Sequence, residues 1–207
     1  MPSQIQVDKI IDSGSTTNKE LAEYSSSAWS WGQGLPRGSV IEQFLIPCNG
    51  SSITVQSGTY TSQNVTTHQN SGHSSWDDIT GSTITYTPPI GTQLVIYKFS
   101  LQIGYSDSNV TVGFRFMLGG VEADKFRTHV QSESYYNNRK TLEFPLLIGG
   151  SSDATIGKQT TWTSGVEIKL QTKSHSGNDA TLHQTDNWDN STTDQFVPPV
   201  IGITAIS

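Results

Sequence analysis

Five histidines, His68, His73, His129, His175 and His183, stand in a chain rich in serine and aspartate. Serine, histidine and aspartate can together form an acyl-transfer triad, in which the imidazole takes the hydroxyl proton. No motif seats such a nucleophile here: Gly-x-Ser-x-Gly, His-Glu-x-x-His, a glycine-rich loop ahead of a helix and EF-hand spacing are all missing. His183, Asp186, Asp189 and Asp194 lie close enough in sequence for carboxylates and Asn carbonyls to converge on a hard cation such as Ca²⁺. They lack the EF-hand order of ligands and read better as a solvated loop, so neither a metal nor a cofactor is expected. Glycoside hydrolysis needs two carboxylates facing each other across a cleft. Glu122, Glu133, Glu143 and Glu167 are scattered singly and read as solvent-facing strand residues. No catalytic residue is assigned, and the chain is expected not to be an enzyme.

Binding chemistry has better candidates. Trp76, Tyr135, Tyr136 and Trp188 sit in polar stretches, where an aromatic ring stacks on a sugar while nearby Asn and Asp hold its hydroxyls. The competing reading has the same rings capping a core or filling a subunit interface. Trp29 and Trp31 alternate within residues 26–32; in extended backbone both fall on one face. A segment without its own core must bury that face against its own domain, a neighbouring subunit or a larger assembly. Ile5, Val7, Ile10 and Ile11 join the two tryptophans as candidate interface residues.

Composition narrows the class. Only 14% of the 207 residues are charged, against roughly 25% in typical soluble domains. Ser, Thr, Asn and Gln take their surface positions, as suits an extended β surface. A net charge of −6 with no cluster of Lys and Arg argues against a nucleic-acid partner. Cys48 is the single cysteine, so no intrachain disulfide is possible, and it reads as a small buried hydrophobe. The start has no basic-then-apolar signal pattern, and no run of about 18 apolar residues occurs, so synthesis in a cytoplasm without membrane insertion is expected.

The elements that must position these residues fall into two parts. Residues 1–38 show no sustained alternation and are broken at Asp12-Ser13-Gly14-Ser15 and again at residues 32–38. Within this arm residues 18–24 read as a short helix capped by Thr17 or Asn18. Residues 39–207 carry dense strand signals, at 40–46, 52–56, 82–87, 93–103, 110–118, 125–131, 141–148, 165–172, 181–184 and 200–206. With no strong helix between them, these pair antiparallel. Gly119-Gly120 marks a tight hairpin, and Pro88-Pro89 and Pro198-Pro199 close one strand before the next. In residues 93–103, Leu94 and Ile96 have one parity and Val95, Tyr97, Phe99, Leu101 and Ile103 the other, so the strand reads as buried between layers. Spacing, the long central strand and the absence of a Cys pair around a core Trp favour a jelly roll over an immunoglobulin sandwich. The expected fold is all-β: an antiparallel jelly-roll-type β-sandwich preceded by an extended N-terminal arm.

Residues 44–60 (FLIPCNGSSITVQSGTY), 84–107 (ITYTPPIGTQLVIYKFSLQIGYSD) and 182–189 (LHQTDNWD) resemble a domain that recurs in virion structural proteins of tailed phages, particularly aquatic ones. Residues 5–14 (IQVDKIIDSG) are similar to N-termini of phage tail-fibre and particle-associated proteins. The resemblance implies an arm that anchors to other virion proteins of the capsid or tail and a jelly roll that projects, often as a homotrimer. It also implies residence in the virion. The chain departs from long tail fibres in having no shaft, which points to a capsid decoration, cement or short head-fibre protein. A glycan-binding adsorption protein of the host surface is the alternative, carried by the four loop aromatics.

Overall fold

A computed structural model describes residues 9–11, 20–25, 28–31, 36–105, 110–132, 136–175, 180–185 and 195–207. Three short strands come first: β1 (Lys9–Ile11), β2 (Glu20–Ser25) and β3 (Ala28–Trp31), antiparallel in a sheet of their own. Of the helix expected over residues 18–24, residues 20–24 are strand instead, and residues 18 and 19 lie outside the described residues. A helix this short is marginal in water, whereas β2 forms backbone ladders along both its edges, with β1 and β3.

The rest is the sandwich: β4 (Val40–Pro47), β5 (Ser52–Val55), β6 (Gly58–Thr61), β7 (Gln69–Ser71), β8 (Asp77–Asp78), β9 (Ile84–Tyr86), β10 (Leu94–Tyr105) and β11 (Val110–Leu118). Then follow β12 (Val121–Glu122), β13 (Thr128–Ser132), β14 (Tyr136–Leu147), β15 (Val166–His175), β16 (Ala180–Leu182), β17 (Gln184–Thr185), β18 (Gln195–Phe196) and β19 (Val200–Ile206). One sheet runs β4-β19-β10-β14, with β16 and β7 continuing beside β10 beyond β19. The other runs β9-β15-β11-β13, with β8 also pairing β15 on the β9 edge and β12 also pairing β11 on the β13 edge. The pairing is nested, β4 with β19, β9 with β15, β10 with β14 and β11 with β13, which is jelly-roll topology.

Gly119 and Gly120 both have positive φ, 57° and 80°, as a tight hairpin turn requires, and Leu118 pairs with Val121 across it. Residues 82–87 and 93–103 do not pair with each other. β9 joins β15 and β10 joins β14 and β19, so the Pro88-Pro89 corner carries the chain from one sheet to the other. Nor is β10 equally buried on both faces: Val95, Tyr97, Phe99, Leu101 and Ile103 have no exposed surface, while Leu94 and Ile96 are half-buried on the outer face. Pro145 stands in β14, an edge strand, where a residue without an N–H is tolerated.

Between the sheets, Phe116 of β11 lies 4.7 Å from Phe144 and 5.7 Å from Tyr97, centroid to centroid, so rings from both sheets interdigitate. Polar ties cross the same gap. The Tyr97 hydroxyl donates to the Ser82 carbonyl at 2.6 Å, and the Tyr86 hydroxyl donates to Glu42 Oε1 at 2.9 Å. Glu42, 5% exposed, also accepts from the Ser57 backbone N–H at 2.7 Å and the Ser57 hydroxyl at 2.6 Å. Burial and the facing carboxylate push the Tyr86 hydroxyl upward, which keeps it a donor. Removing the acceptor strands these buried donors. Glu42→Ala is expected to lower unfolding stability by about 3 kcal/mol in urea titration, whereas Glu143→Ala, which breaks an exposed pair with Lys98, changes it by less than about 1 kcal/mol.

Candidate functional site

The interface residues anticipated in the arm fall partly on the small sheet. Ile10 and Ile11 lie in β1, and Trp29 and Trp31 in β3. Register sets Ile10 opposite Ala22 and Ala22 opposite Trp31, with Tyr24 opposite Trp29 in the next row of that face. Ile5 and Val7 lie outside the described residues. Of the four aromatics proposed for sugars, Tyr135 and Trp188 are likewise outside them, and Tyr136 is placed by its backbone, opposite Tyr105.

Trp76 is described in full. It precedes β8 and lies half-buried on the outer face of the second sheet, over Gly113, where a Cβ would come within 3.3 Å of its ring. The Arg115 guanidinium stands over the ring, 4.8 Å from its centroid. β11, β15 and β8 align Arg115, Gln171 and Asp78 across one row. Arg115 Nε donates to Gln171 Oε1 at 2.6 Å, and Gln171 Nε2 donates to Asp78 Oδ1 at 2.6 Å. Glu122 accepts from Arg115 at 3.2 Å and pairs with Arg127, while Lys169 reaches Asp78 at 2.9 Å. Hydrogen bonds from Arg127 hold Glu122 below its ordinary value; for Asp78, burial acts upward and is outweighed by the bonds from Lys169 and Gln171. Positive and negative groups alternate and are paired, so the face is a clamp that fixes Trp76 and carries no concentrated charge.

His183 does not sit in a solvated loop. It is fully buried, edge-on to Phe99, and has φ +66°, the one positive φ among the described non-glycine residues. The Thr80 hydroxyl gives its proton to Gln69 Oε1 at 3.1 Å, so it accepts from His183 Nε2–H at 3.1 Å. That assigns the tautomer and leaves Nδ1 a bare acceptor with no partner among the described residues. Asp186, Asp189 and Asp194 lie outside the described residues, and among the described residues no three His, Cys, Asp or Glu groups gather as a metal site.

Two further residues have chemical potential. Cys48 is buried, and burial pushes its thiol up to about 12, so it stays protonated and packs as a hydrophobe. Glu42 escapes recognition as a site residue because nothing nearby in sequence marks it. Its signal is parity: it shares the inward face of β4 with Phe44 and Ile46.

No family model matches the chain, and no curated protein does. Among solved structures, infectious bursal disease virus of the Gx strain is similar at 9% identity and TM-score 0.39 over 99% of this chain and 41% of that one. The Gt strain follows at 8% and 0.37, over 91% and 42%. The chain spans less than half the length of either.

Burial lowers the His183 imidazole to about 4 from an ordinary 6.5, so as pH falls the unfolded chain takes up this proton before the folded one. The stabilisation is complete above pH 6.5, declines between 6.5 and 4, and is flat below. Stability measured in urea is expected to drop by on the order of 3 kcal/mol across that window. His183→Asn, which tolerates positive φ, should lose this slope above pH 4.5; parallel profiles for both proteins would contradict the assignment.

Proposed function

We propose that the protein is a non-enzymatic structural component of a phage virion, attached through residues 1–38 and presenting residues 39–207 as a jelly roll that decorates, cements or projects from the particle. The observation that carries this reading is how the chemically capable groups are used. Glu42 is enclosed by Ser57 and Tyr86, Cys48 is buried as a protonated thiol, and His183 is buried as a neutral ring. Each is committed to the fold. Exposed apolar side chains on the sandwich, Leu45 and Ile90 among them, are then open to partners.

Assembly through such faces follows from buried apolar area and backbone pairing, since few charges are available for ion pairs. A homotrimer bound to capsid or tail proteins, made in the host cytoplasm and resident in the virion, is the form this reading takes. Its test is incorporation. The chain lacking residues 1–38, checked for a folded sandwich by near-UV circular dichroism, is expected to stay out of particles that take up the full chain; normal uptake overturns the attachment role.

A glycan-binding adsorption role is the second reading, favoured by the half-buried Trp76 beside Asp78 and Gln171. Its ring is already engaged by Arg115 and Gly113, which leaves less of it for a sugar. On a glycan array the full chain is expected to give no specific signal; binding abolished by Trp76→Ala would favour the second reading.

A further inference from the structure

Asn49-Gly50 is the one Asn-Gly pair in the chain. It lies in the turn that follows β4, and both residues are exposed. Gly50 has φ +81°, in the left-handed region, and a Cβ there would come within 3.4 Å of Asn64, so the turn itself calls for glycine after this asparagine. Glycine also leaves its own nitrogen open to the asparagine side chain, because no Cβ shields it.

The side chain is already turned that way. Asn49 Oδ1 accepts from the Ser51 N–H at 3.1 Å and from the Ser51 hydroxyl at 2.5 Å. The first of these bonds closes a small ring that contains both Asn49 Cγ and the Gly50 nitrogen, the two atoms a cyclisation would join. Both flanks are fixed. The Ser51 carbonyl accepts from the Ser62 N–H, the Asn49 N–H donates to the Pro47 carbonyl and the Val65 N–H donates to the Cys48 carbonyl, each at 2.9 Å. The two Ser51 donors are therefore preorganised on the oxygen that gains negative charge when Cγ is attacked.

We propose that Asn49-Gly50 is a self-modification site that deamidates in the folded chain, with Ser51 supplying the oxyanion donors. The Gly50 nitrogen gives its proton to water and attacks Asn49 Cγ; the new N–C bond forms as the carbonyl electron pair moves onto Oδ1. That pair returns as the Cγ–Nδ2 bond breaks, and the nitrogen takes a proton from water and leaves as ammonia. The product is a cyclic imide. Water then opens it at either carbonyl, giving aspartate or isoaspartate at position 49, with no change of oxidation state. Either product sets a new carboxylate on the turn. Isoaspartate also adds one carbon to the main chain beside Cys48, whose N–H is tied to the Pro199 carbonyl at 2.9 Å, so aged copies differ from new ones in backbone as well as charge. The inference stands apart from the virion role.

Peptide mapping by mass spectrometry tests it, on the full chain aged in mildly alkaline buffer, folded or in urea. The peptide holding Asn49 is expected to exchange NH for O in the folded chain, with an isoaspartate fraction that isoaspartyl methyltransferase labels. Ser51→Ala, with its fold checked by near-UV circular dichroism, should slow the folded reaction roughly two- to tenfold, the worth of one hydrogen bond, and leave the rate in urea unchanged. Ser51→Thr, which keeps the hydroxyl, should convert like the wild type. Asn49 left intact in the folded chain when the chain in urea has converted overturns the proposal, as does a folded Ser51→Ala variant that converts as fast as the wild type.

Discussion

The odd-numbered face of β10, from Val95 to Ile103, must leave water, and one sheet cannot hide it. The nested pairing supplies the second sheet by folding a long antiparallel ribbon over on itself, so that Phe116 and Leu170 meet the β10 face from the other side. Nearly every later feature follows from that closure. The Pro88-Pro89 corner exists to change sheets, and the first and last strands of the sandwich, β4 and β19, lie side by side because the ribbon begins and ends together.

Closure without many charges shapes the polar interior. The sheets are tied by neutral donors: tyrosine hydroxyls to Ser82 and Glu42, and serine hydroxyls between Ser71 and Ser174. Glu42 is the instructive case, since a buried carboxylate usually demands a cation and this one is satisfied by Ser57 and Tyr86. His183 shows the opposite balance. Its Nδ1 has no partner among the described residues, and the position is held by the bond to Thr80 and by packing on Phe99.

Much of the sandwich was legible in residues 110–118 and 200–206, where alternation and length are unambiguous, and at Gly119-Gly120, where turn chemistry is local. Which sheet the strand after Pro88-Pro89 enters was not legible, because partner choice depends on residues distant in sequence, in β14 and β19. The Glu-Leu-Ala run in β2 carried helix propensity that pairing on two edges overrode. Short strands such as β7 and β8 hold too few residues to show a period. Of the site residues, Trp76 was legible as an aromatic in polar surroundings, but not its clamp, since Arg115 and Gly113 meet it from another strand. His183 was read as solvated because its neighbours in sequence are polar; its neighbours in space, Phe99 and Thr80, are not adjacent in the chain.

These features describe a module in which Glu42, Cys48 and His183 are taken up by its own packing. The virion role is the claim that joins them, and reconstruction of purified particles by cryo-electron microscopy, with their protein content verified by mass spectrometry, tests it most directly. The account predicts jelly-roll density at the particle surface with its first 38 residues set against a neighbouring protein. Particles that are complete and infectious without the chain would contradict it.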